Sequence, residues 1–180
     1  ELSLQLARRF GGSIISADSM QVYQGMDIGT AKPRLSERLG VPHALIDVVL
    51  PGCHFSVAEY QVLALEAVNV AIRSARLPIL VGGTGLYVRA VLDGYEFLPE
   101  KPNSSLRNEL RMLSEGELRQ RLRAIDPLAE REIASNDSKR LERALEMVAQ
   151  TGDLPSVLKR RQHAVPWRVL RIGLRAERAE

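Results

Sequence analysis

The sequence predicts an α/β fold, with a parallel sheet flanked by helices and a small all-helical insertion. Three observations predict it. The short apolar runs at residues 13–17 and 79–81 are typical of strands covered on both faces. They alternate with amphipathic helical segments, which is the pattern of parallel β-α-β units. After residue 99 the apolar runs stop and short charged helices follow, so we place the insertion at residues 100–163.

Composition fits a globular domain of modest size. The chain has 180 residues, of which 45% are hydrophobic and 26% charged. No apolar run approaches the roughly 20 residues that cross a bilayer, and a single cysteine, Cys53, rules out an internal disulfide. The net charge of +3 permits a polyanionic partner without requiring one. We predict a cytoplasmic monomer that does not bind membranes.

The chain begins inside a predicted helix. Leu2, Leu6 and Phe10 recur at helical spacing, and Gly11 ends the helix before the first strand. A helix followed directly by a strand is the second half of a β-α-β unit. No initiator methionine precedes it. We therefore expect an earlier strand and loop ahead of Glu1.

The first strand ends on a carboxylate. Asp18 follows residues 13–17, and the polar segment Ser19-Met20-Gln21 follows Asp18. Ligands of open α/β sheets bind at the carboxyl ends of the strands, so this loop is predicted to line a cleft. Gly25 and Gly29 then interrupt regular structure. Asp18 is either a functional residue of the cleft or only a cap for the next turn, and the residues alone leave both options open.

Two further elements complete this half of the sheet. The apolar run at residues 44–49 predicts a strand, and Ser56 with Glu59 forms a capping box that opens a long helix. His43 and His54 have no neighbouring ligands at metal-binding spacing, so we interpret them as loop or structural residues.

A second strand end carries a hydroxyl. Residues 79–81 lead into Gly82, Gly83 and Thr84, where the glycines allow a tight turn and the close approach of a ligand. Thr84 stands at the N-cap of a helix, where a hydroxyl and free N–H groups can bind an anionic oxygen. The alternative is that Thr84 only caps its helix. We expect Asp18 and Thr84 to face one crevice from neighbouring strands.

The insertion is predicted to contain five short helices. They begin at Ser104 or Ser105, at Glu115, at Pro127, at Asn136 or Asp137, and at Ser156. The alternating run Trp167–Leu174 then predicts a strand that returns to the sheet. The domains are therefore a core at residues 1–99, the insertion, and a return segment at residues 164–180.

Basic residues share one face of the fourth helix of the insertion. Arg143 lies four residues after Lys139 and three after Arg140, and residues 159–161 add a second cluster. The simpler interpretation is a solvated face paired with Glu142 and Glu146.

Three blocks of sequence resemble the signature of the tRNA dimethylallyltransferases, also called tRNA isopentenyltransferases. The blocks are Asp18–Tyr23 with Gly25–Pro33, Val81–Tyr87, and Asn136–Glu146. The resemblance implies a P-loop NTPase-like core whose glycine-rich phosphate loop would precede Glu1. This chain would then lack that loop and a C-terminal part, and we expect it to be inactive alone.

The resemblance also implies a reaction and its residues. A dimethylallyl group would pass from dimethylallyl diphosphate to N6 of the adenosine on the 3′ side of the anticodon. Asp18, ionised at neutral pH, would be the general base, and Ser19, Met20 and Gln21 would line the adenine pocket. Thr84, the phosphate loop and Mg²⁺ would stabilise the leaving diphosphate.

The same resemblance implies that the insertion binds the anticodon stem-loop of tRNA. The implied contacts are Lys139, Arg140, Leu141, Glu142 and Arg143, together with Arg107. Two other enzyme classes stay open, namely prenylation of a free adenine nucleotide, which needs no RNA-binding insertion, and a phosphoryl-transfer kinase. The non-enzymatic alternative is an inactive piece of a larger protein.

Overall fold

The computed structural model describes residues 1–97, 103–158 and 163–175, and these form two compact units. The α/β unit contains residues 1–94 together with the segment that begins at residue 164. The helical unit contains residues 95–163. The predicted start of the insertion, at residue 100, lies outside the described residues.

The α/β unit is built on a parallel sheet. Strand β1 (Gly12–Ser16) lies between β2 (His43–Ala44) and β3 (Leu77–Val81), and both neighbours run parallel to it. The helices are α1 (Leu2–Phe10), α2 (Val57–Arg73) and α3 (Gly85–Leu92), with a 3₁₀ turn at Leu35–Arg38. The predicted α/β fold, with a parallel sheet flanked by helices, is confirmed.

Side chains of β1 alternate between two hydrophobic layers. Ile14 packs with Ala7 of α1, whereas Ile15 packs with Tyr60 of α2 and Tyr87 of α3. This alternation is expected of a strand whose successive side chains point to opposite faces, each covered by helices. The face of α1 differs from the predicted one, because Leu2 and Phe10 are exposed while Ala7 is buried.

Two stacked tyrosines connect the helices to the end of β1. The rings of Tyr60 and Tyr87 are 3.8 Å apart and nearly parallel, and the Tyr60 hydroxyl donates to the carbonyl of Ser16 at 3.0 Å. Burial raises the pKa of the Tyr60 hydroxyl, so it remains a donor. The backbone that precedes Asp18 is therefore held by a buried hydrogen bond.

The strand predicted at residues 44–49 is wrong beyond Ala44. Leu45 and Asp47 have φ angles of +63° and +59°, in the left-handed region, and this conformation ends the strand. After this turn, Val49 forms a single parallel bridge with Tyr23. The apolar pattern indicated burial correctly at Leu45 but not the turn of the backbone.

The predicted return strand at Trp167–Leu174 is also wrong. The described residues 163–175 contain no strand. Trp167 packs against the core cluster around Ile15, but Leu170 and Leu174 are 84% and 79% exposed. An alternating pattern fits extended backbone, yet a strand also needs a hydrogen-bonded neighbour, and no described strand pairs with this segment.

The helical unit follows the predicted order of helices. They are α4 (Ser104–Arg111), α5 (Glu115–Ile125), α6 (Pro127–Glu132), α7 (Ser138–Thr151) and α8 (Pro155–Leu158). The side chain of Asp137 caps α7, Pro127 occupies the first turn of α6, and Leu118, Leu122 and Leu141 form the centre of the core. The remainder of the predicted last helix and the basic residues 159–161 lie outside the described residues.

None of the helices in the described ranges is long and apolar enough to cross a membrane.

Candidate active site

Asp18 lies directly after β1 and closes a tight turn. Its Oδ1 accepts hydrogen bonds from the backbone N–H groups of Met20 at 2.8 Å and Gln21 at 3.2 Å. Its second oxygen, Oδ2, has no hydrogen-bond partner among the residues that the structure describes. One oxygen therefore caps the turn, and the other is free to act on a ligand, so the two interpretations of Asp18 are compatible.

Thr84 occupies the N-cap position of α3, but its side chain makes no capping hydrogen bond. The hydroxyl instead accepts from the backbone N–H of Ser19 at 2.9 Å and donates to the Ser19 hydroxyl at 3.2 Å. The alternative in which Thr84 only caps its helix is therefore wrong. Asp18 and Thr84 are brought together, with only Ser19 linking them.

The two strand ends approach closely because residue 82 is glycine. The Thr84 N–H donates to the Ala17 carbonyl at 3.1 Å, and a Cβ atom on Gly82 would lie 2.1 Å from that carbonyl oxygen. A Cβ on Gly83 would meet nothing within 4 Å. Gly82 thus permits contact between two backbones. The sequence had predicted that it allows the close approach of a ligand instead.

Gln21, one of the residues predicted to line the adenine pocket, has its side chain fixed by two hydrogen bonds. Its Oε1 accepts from the Ser16 hydroxyl at 3.1 Å, and its Nε2 donates to the Thr30 carbonyl at 3.1 Å. Met20, in contrast, is 46% exposed at the tip of the turn. Gln21 is therefore fixed beside the end of β1, whereas Met20 is open to solvent.

In the helical unit, two of the predicted RNA-binding arginines share one buried carboxylate. Glu146 accepts from Arg107 at 2.9 Å through both oxygens, from Arg143 at 2.6 Å, and from the backbone N–H of Asn103 at 2.8 Å. Burial raises the pKa of Glu146, but the hydrogen bonds from Arg107 and Arg143 outweigh it and hold the pKa below its usual value. The network fixes both guanidinium groups.

The other predicted RNA contacts differ in accessibility. Lys139 and Arg140 are exposed, and Arg140 lies 3.2 Å from Asp137. Glu142 is 3.7 Å from Arg111. Leu141 is fully buried in the core of the helical unit, so its side chain cannot reach an RNA in this structure, and its role there is to anchor α7.

A surface cavity of about 470 Å³ lies elsewhere in the α/β unit. It is lined by Tyr23, Met26, Pro51, Gly52, Cys53, His54 and Phe55. It contains neither Asp18 nor Thr84, and it has no carboxylate. The candidate site is therefore the pair of strand ends and not this cavity.

Comparison with known proteins decides the family. The IPP transferase family model matches residues 21–180. The chain belongs to the IPP transferase family. The tRNA dimethylallyltransferase of Desulforudis audaxviator (strain MP104C) is 45% identical over 183 residues, which cover 99% of this chain and 59% of the relative. The chain thus spans less than two thirds of that relative's length.

Solved structures of IPP transferases agree with this assignment. The tRNA isopentenylpyrophosphate transferase of Bacillus halodurans is 45% identical, with a TM-score of 0.54 over 83% of this chain and 51% of that one. A eukaryotic dimethylallyltransferase, described as acting on tRNA, is 30% identical with a TM-score of 0.78 over 89% of this chain and 41% of that one. The family predicted from the three sequence blocks is confirmed.

Two charged groups of the chain were not predicted as site residues. Lys32 is buried beside two aspartates, and Glu146 joins the two arginines. Both lie inside the blocks that resemble the family signature, and that was the one available signal. Spacing shows only the near partners, Arg143 of Glu146 and Asp27 of Lys32. It could not reveal that Arg107 and Asp47, which lie 39 and 15 residues away from Glu146 and Lys32, complete the two networks.

Proposed function

We propose that the protein is a tRNA dimethylallyltransferase, which transfers a dimethylallyl group from dimethylallyl diphosphate to N6 of the adenosine next to the anticodon on its 3′ side. One observation carries the proposal. Oδ2 of Asp18, which has no hydrogen-bond partner among the described residues, and the hydroxyl of Thr84 come from adjacent strand ends and are joined through Ser19. The names of the relatives support the same reaction.

Asp18 fits the role of general base. The exocyclic amine of adenosine is a weak nucleophile because its lone pair is delocalised into the purine. As the bond from N6 to the allylic carbon forms, the bond from that carbon to the diphosphate oxygen breaks, and diphosphate leaves. The proton lost by N6 passes to Oδ2 of Asp18. Oδ1 stays bonded to the turn, which holds the carboxylate in one orientation.

Thr84 fits the role of a donor to the leaving diphosphate. Its hydroxyl proton points to Ser19 in this structure and can turn towards a phosphate oxygen. The first N–H groups of α3 lie beside it and favour negative charge. These donors would stabilise the charge that grows on the diphosphate as the allylic bond breaks. The phosphate loop stays a prediction.

Mg²⁺ has no built site in the part of the chain that is described. No group of three or more His, Cys, Asp or Glu side chains there is placed to hold a metal ion. Mg²⁺ is commonly bound through one or two carboxylates and substrate phosphates. We therefore propose Mg²⁺ only as a companion of the donor diphosphate, and no step depends on it.

The helical unit supplies the residues proposed to bind RNA. Arg107 and Arg143 have their guanidinium groups fixed by Glu146, and Lys139 and Arg140 are exposed on α7. Arginines and lysines on one surface suit the phosphates of an anticodon stem-loop. The target adenosine must leave its stack to reach Asp18, at a cost on the order of a few kcal/mol, which is smallest in a loop.

The deciding experiment replaces Asp18 by Asn in a protein extended to the relatives' full length. The amide oxygen of Asn can still accept from Met20 and Gln21, so the turn is kept while the base is lost. We expect transfer to an anticodon stem-loop to fall at least roughly 100-fold at saturating substrates. The control is Asp93→Asn, at an aspartate that pairs with Arg171. Unchanged turnover in D18N, or faster prenylation of AMP than of RNA by the wild type, would contradict the proposal.

A further inference from the structure

Lys32 carries a buried ammonium group that the proposed chemistry does not use. Its side chain is 4% exposed. The Nζ atom donates to Asp47 Oδ1 at 2.6 Å, to Asp27 Oδ1 at 2.7 Å and to the Tyr23 carbonyl at 2.8 Å. An ammonium has three protons, so all of its donors are satisfied. Burial lowers the pKa of Lys32, but the two aspartates raise it above its usual value, and the group is charged.

Two of these bonds lie within the loop that follows Asp18, and the third joins that loop to the segment that follows β2. Tyr23 and Asp27 belong to the loop, and Asp47 belongs to the segment that turns away from the sheet. Backbone bonds reinforce the same junction, since the Asp47 N–H donates to the Gln21 carbonyl at 3.1 Å and the Val48 N–H to the Val22 carbonyl at 2.8 Å. Lys32 lies where the two segments meet.

The junction is linked to Asp18 by short hydrogen bonds. The Gln21 N–H donates to Asp18 Oδ1, and the Gln21 side chain holds the carbonyl of Thr30, two residues before Lys32. A displacement of the loop at Lys32 would therefore move Gln21, and with it the turn that orients the Asp18 carboxylate.

We propose that Lys32 is a positioning residue for Asp18. It fixes the loop at residues 21–32 against Asp47, so that the turn keeps its geometry when an acceptor enters. Lys32 does not contact the reacting atoms, and the inference rests on the proposed function. A merely structural lysine would affect stability alone, whereas a positioning lysine also sets the rate of the chemical step.

The test is Lys32→Met in a protein of the relatives' full length. Methionine keeps the apolar part of the side chain, and the two aspartates, at 61% and 42% side-chain exposure, can be solvated by water. The measurement is the single-turnover rate constant with enzyme in saturating excess over the stem-loop RNA and with saturating dimethylallyl diphosphate. Under these conditions the rate constant does not depend on the fraction of folded enzyme. We expect a decrease of at least tenfold with an unchanged KM for the diphosphate, and partial recovery in Lys32→Arg.

The control is Val68→Ala, a truncation in the hydrophobic core on α2, which lowers the melting temperature but removes none of the hydrogen bonds at the junction. Its single-turnover rate should equal that of the wild type. A wild-type rate in K32M, or an equal decrease in V68A, would overturn the positioning role. If K32M does not fold, Asp47→Ala removes one bond at a half-exposed site and should slow the step in the same direction, and an unchanged rate would again overturn it. No transfer by the wild-type protein would instead overturn the proposed function itself.

Discussion

The hydroxyl of Thr84 is hydrogen-bonded to the backbone N–H of Ser19, 65 residues earlier in the chain, at 2.9 Å. This bond connects the loop after β3 to the loop after β1. Thr84 is the N-cap residue of α3, but its hydroxyl oxygen binds Ser19 and not a backbone N–H of the helix. The position of the Asp18 turn therefore depends on a residue from the neighbouring strand.

Removing the Thr84 hydroxyl should affect both stability and transfer. We expect Thr84→Val, which keeps the shape of the side chain, to lower the free energy of unfolding by about 1 kcal/mol, because the Ser19 N–H loses its acceptor. Transfer should fall by a factor of ten or more, since a donor to the leaving diphosphate is lost as well. Urea unfolding and single-turnover assays measure the two effects. Thr84→Ser retains the oxygen and should stay near wild type in both, so a defect as large as that of T84V would contradict this account.

Gly82 and Gly83 give a matched pair for the contact between strand ends. A methyl group at residue 82 would collide with the Ala17 carbonyl, a backbone atom that cannot rotate away. We expect Gly82→Ala to destabilise the protein by roughly 3 kcal/mol, at the upper end for overpacking, whereas Gly83→Ala should change stability by less than about 1 kcal/mol. Equal unfolding midpoints for the two variants would contradict the close approach.

Local signals explain which parts of the fold could be predicted. The capping box of Ser56 and Glu59 is present at the start of α2, and Pro127 and Asp137 mark helix starts that the structure confirms. Each of these signals acts within a few residues along the chain. For this reason the helices, and the strand ends that bear Asp18 and Thr84, could be predicted from sequence.

Features that depend on distant partners could not be predicted. The turn at Leu45 and Asp47 follows from bonds to Gln21 and Val22, more than twenty residues earlier. The segment Trp167–Leu174 has the pattern of a strand but no described neighbour to pair with. Within the site, the sequence could not show that Oδ1 of Asp18 is bonded to the turn while Oδ2 has no partner in the described part of the chain.

Glu146 should make the stability of the protein dependent on pH. Its folded-state pKa is lowered, so the stability it contributes is complete above its ordinary value of 4.5 and is lost as the pH falls through the folded value. Glu146→Gln leaves Arg107 and Arg143 without their carboxylate, and we expect a loss of about 3 kcal/mol at pH 7, because one partner of a buried ion pair is removed. Chemical unfolding at a series of acidic pH values should show that the difference in the free energy of unfolding between wild type and variant narrows as the pH falls. The control is Glu66→Gln, at an exposed pair with Arg73, which should change stability by less than about 1 kcal/mol. A difference in unfolding free energy between wild type and E146Q that stays constant with pH would contradict the pKa shift.

Lys139 and Arg143 should separate RNA binding from stability. Lys139 is exposed, and no ion pair of its side chain occurs in the described ranges, whereas Arg143 is bonded to Glu146. We expect Lys139→Ala to weaken binding of an anticodon stem-loop and to reduce the slope of log affinity against log salt by about 0.7 to 0.9, as for one lost phosphate contact, with no change in stability. Arg143→Ala should weaken binding and also destabilise the helical unit, because it leaves part of Glu146 unpaired. Fluorescence titrations at several salt concentrations, together with urea unfolding, measure both quantities. Arg73→Ala, on α2 of the α/β unit, should leave the salt slope at its wild-type value, and an unchanged slope in K139A would show that the exposed face of α7 does not bind the RNA backbone at this position.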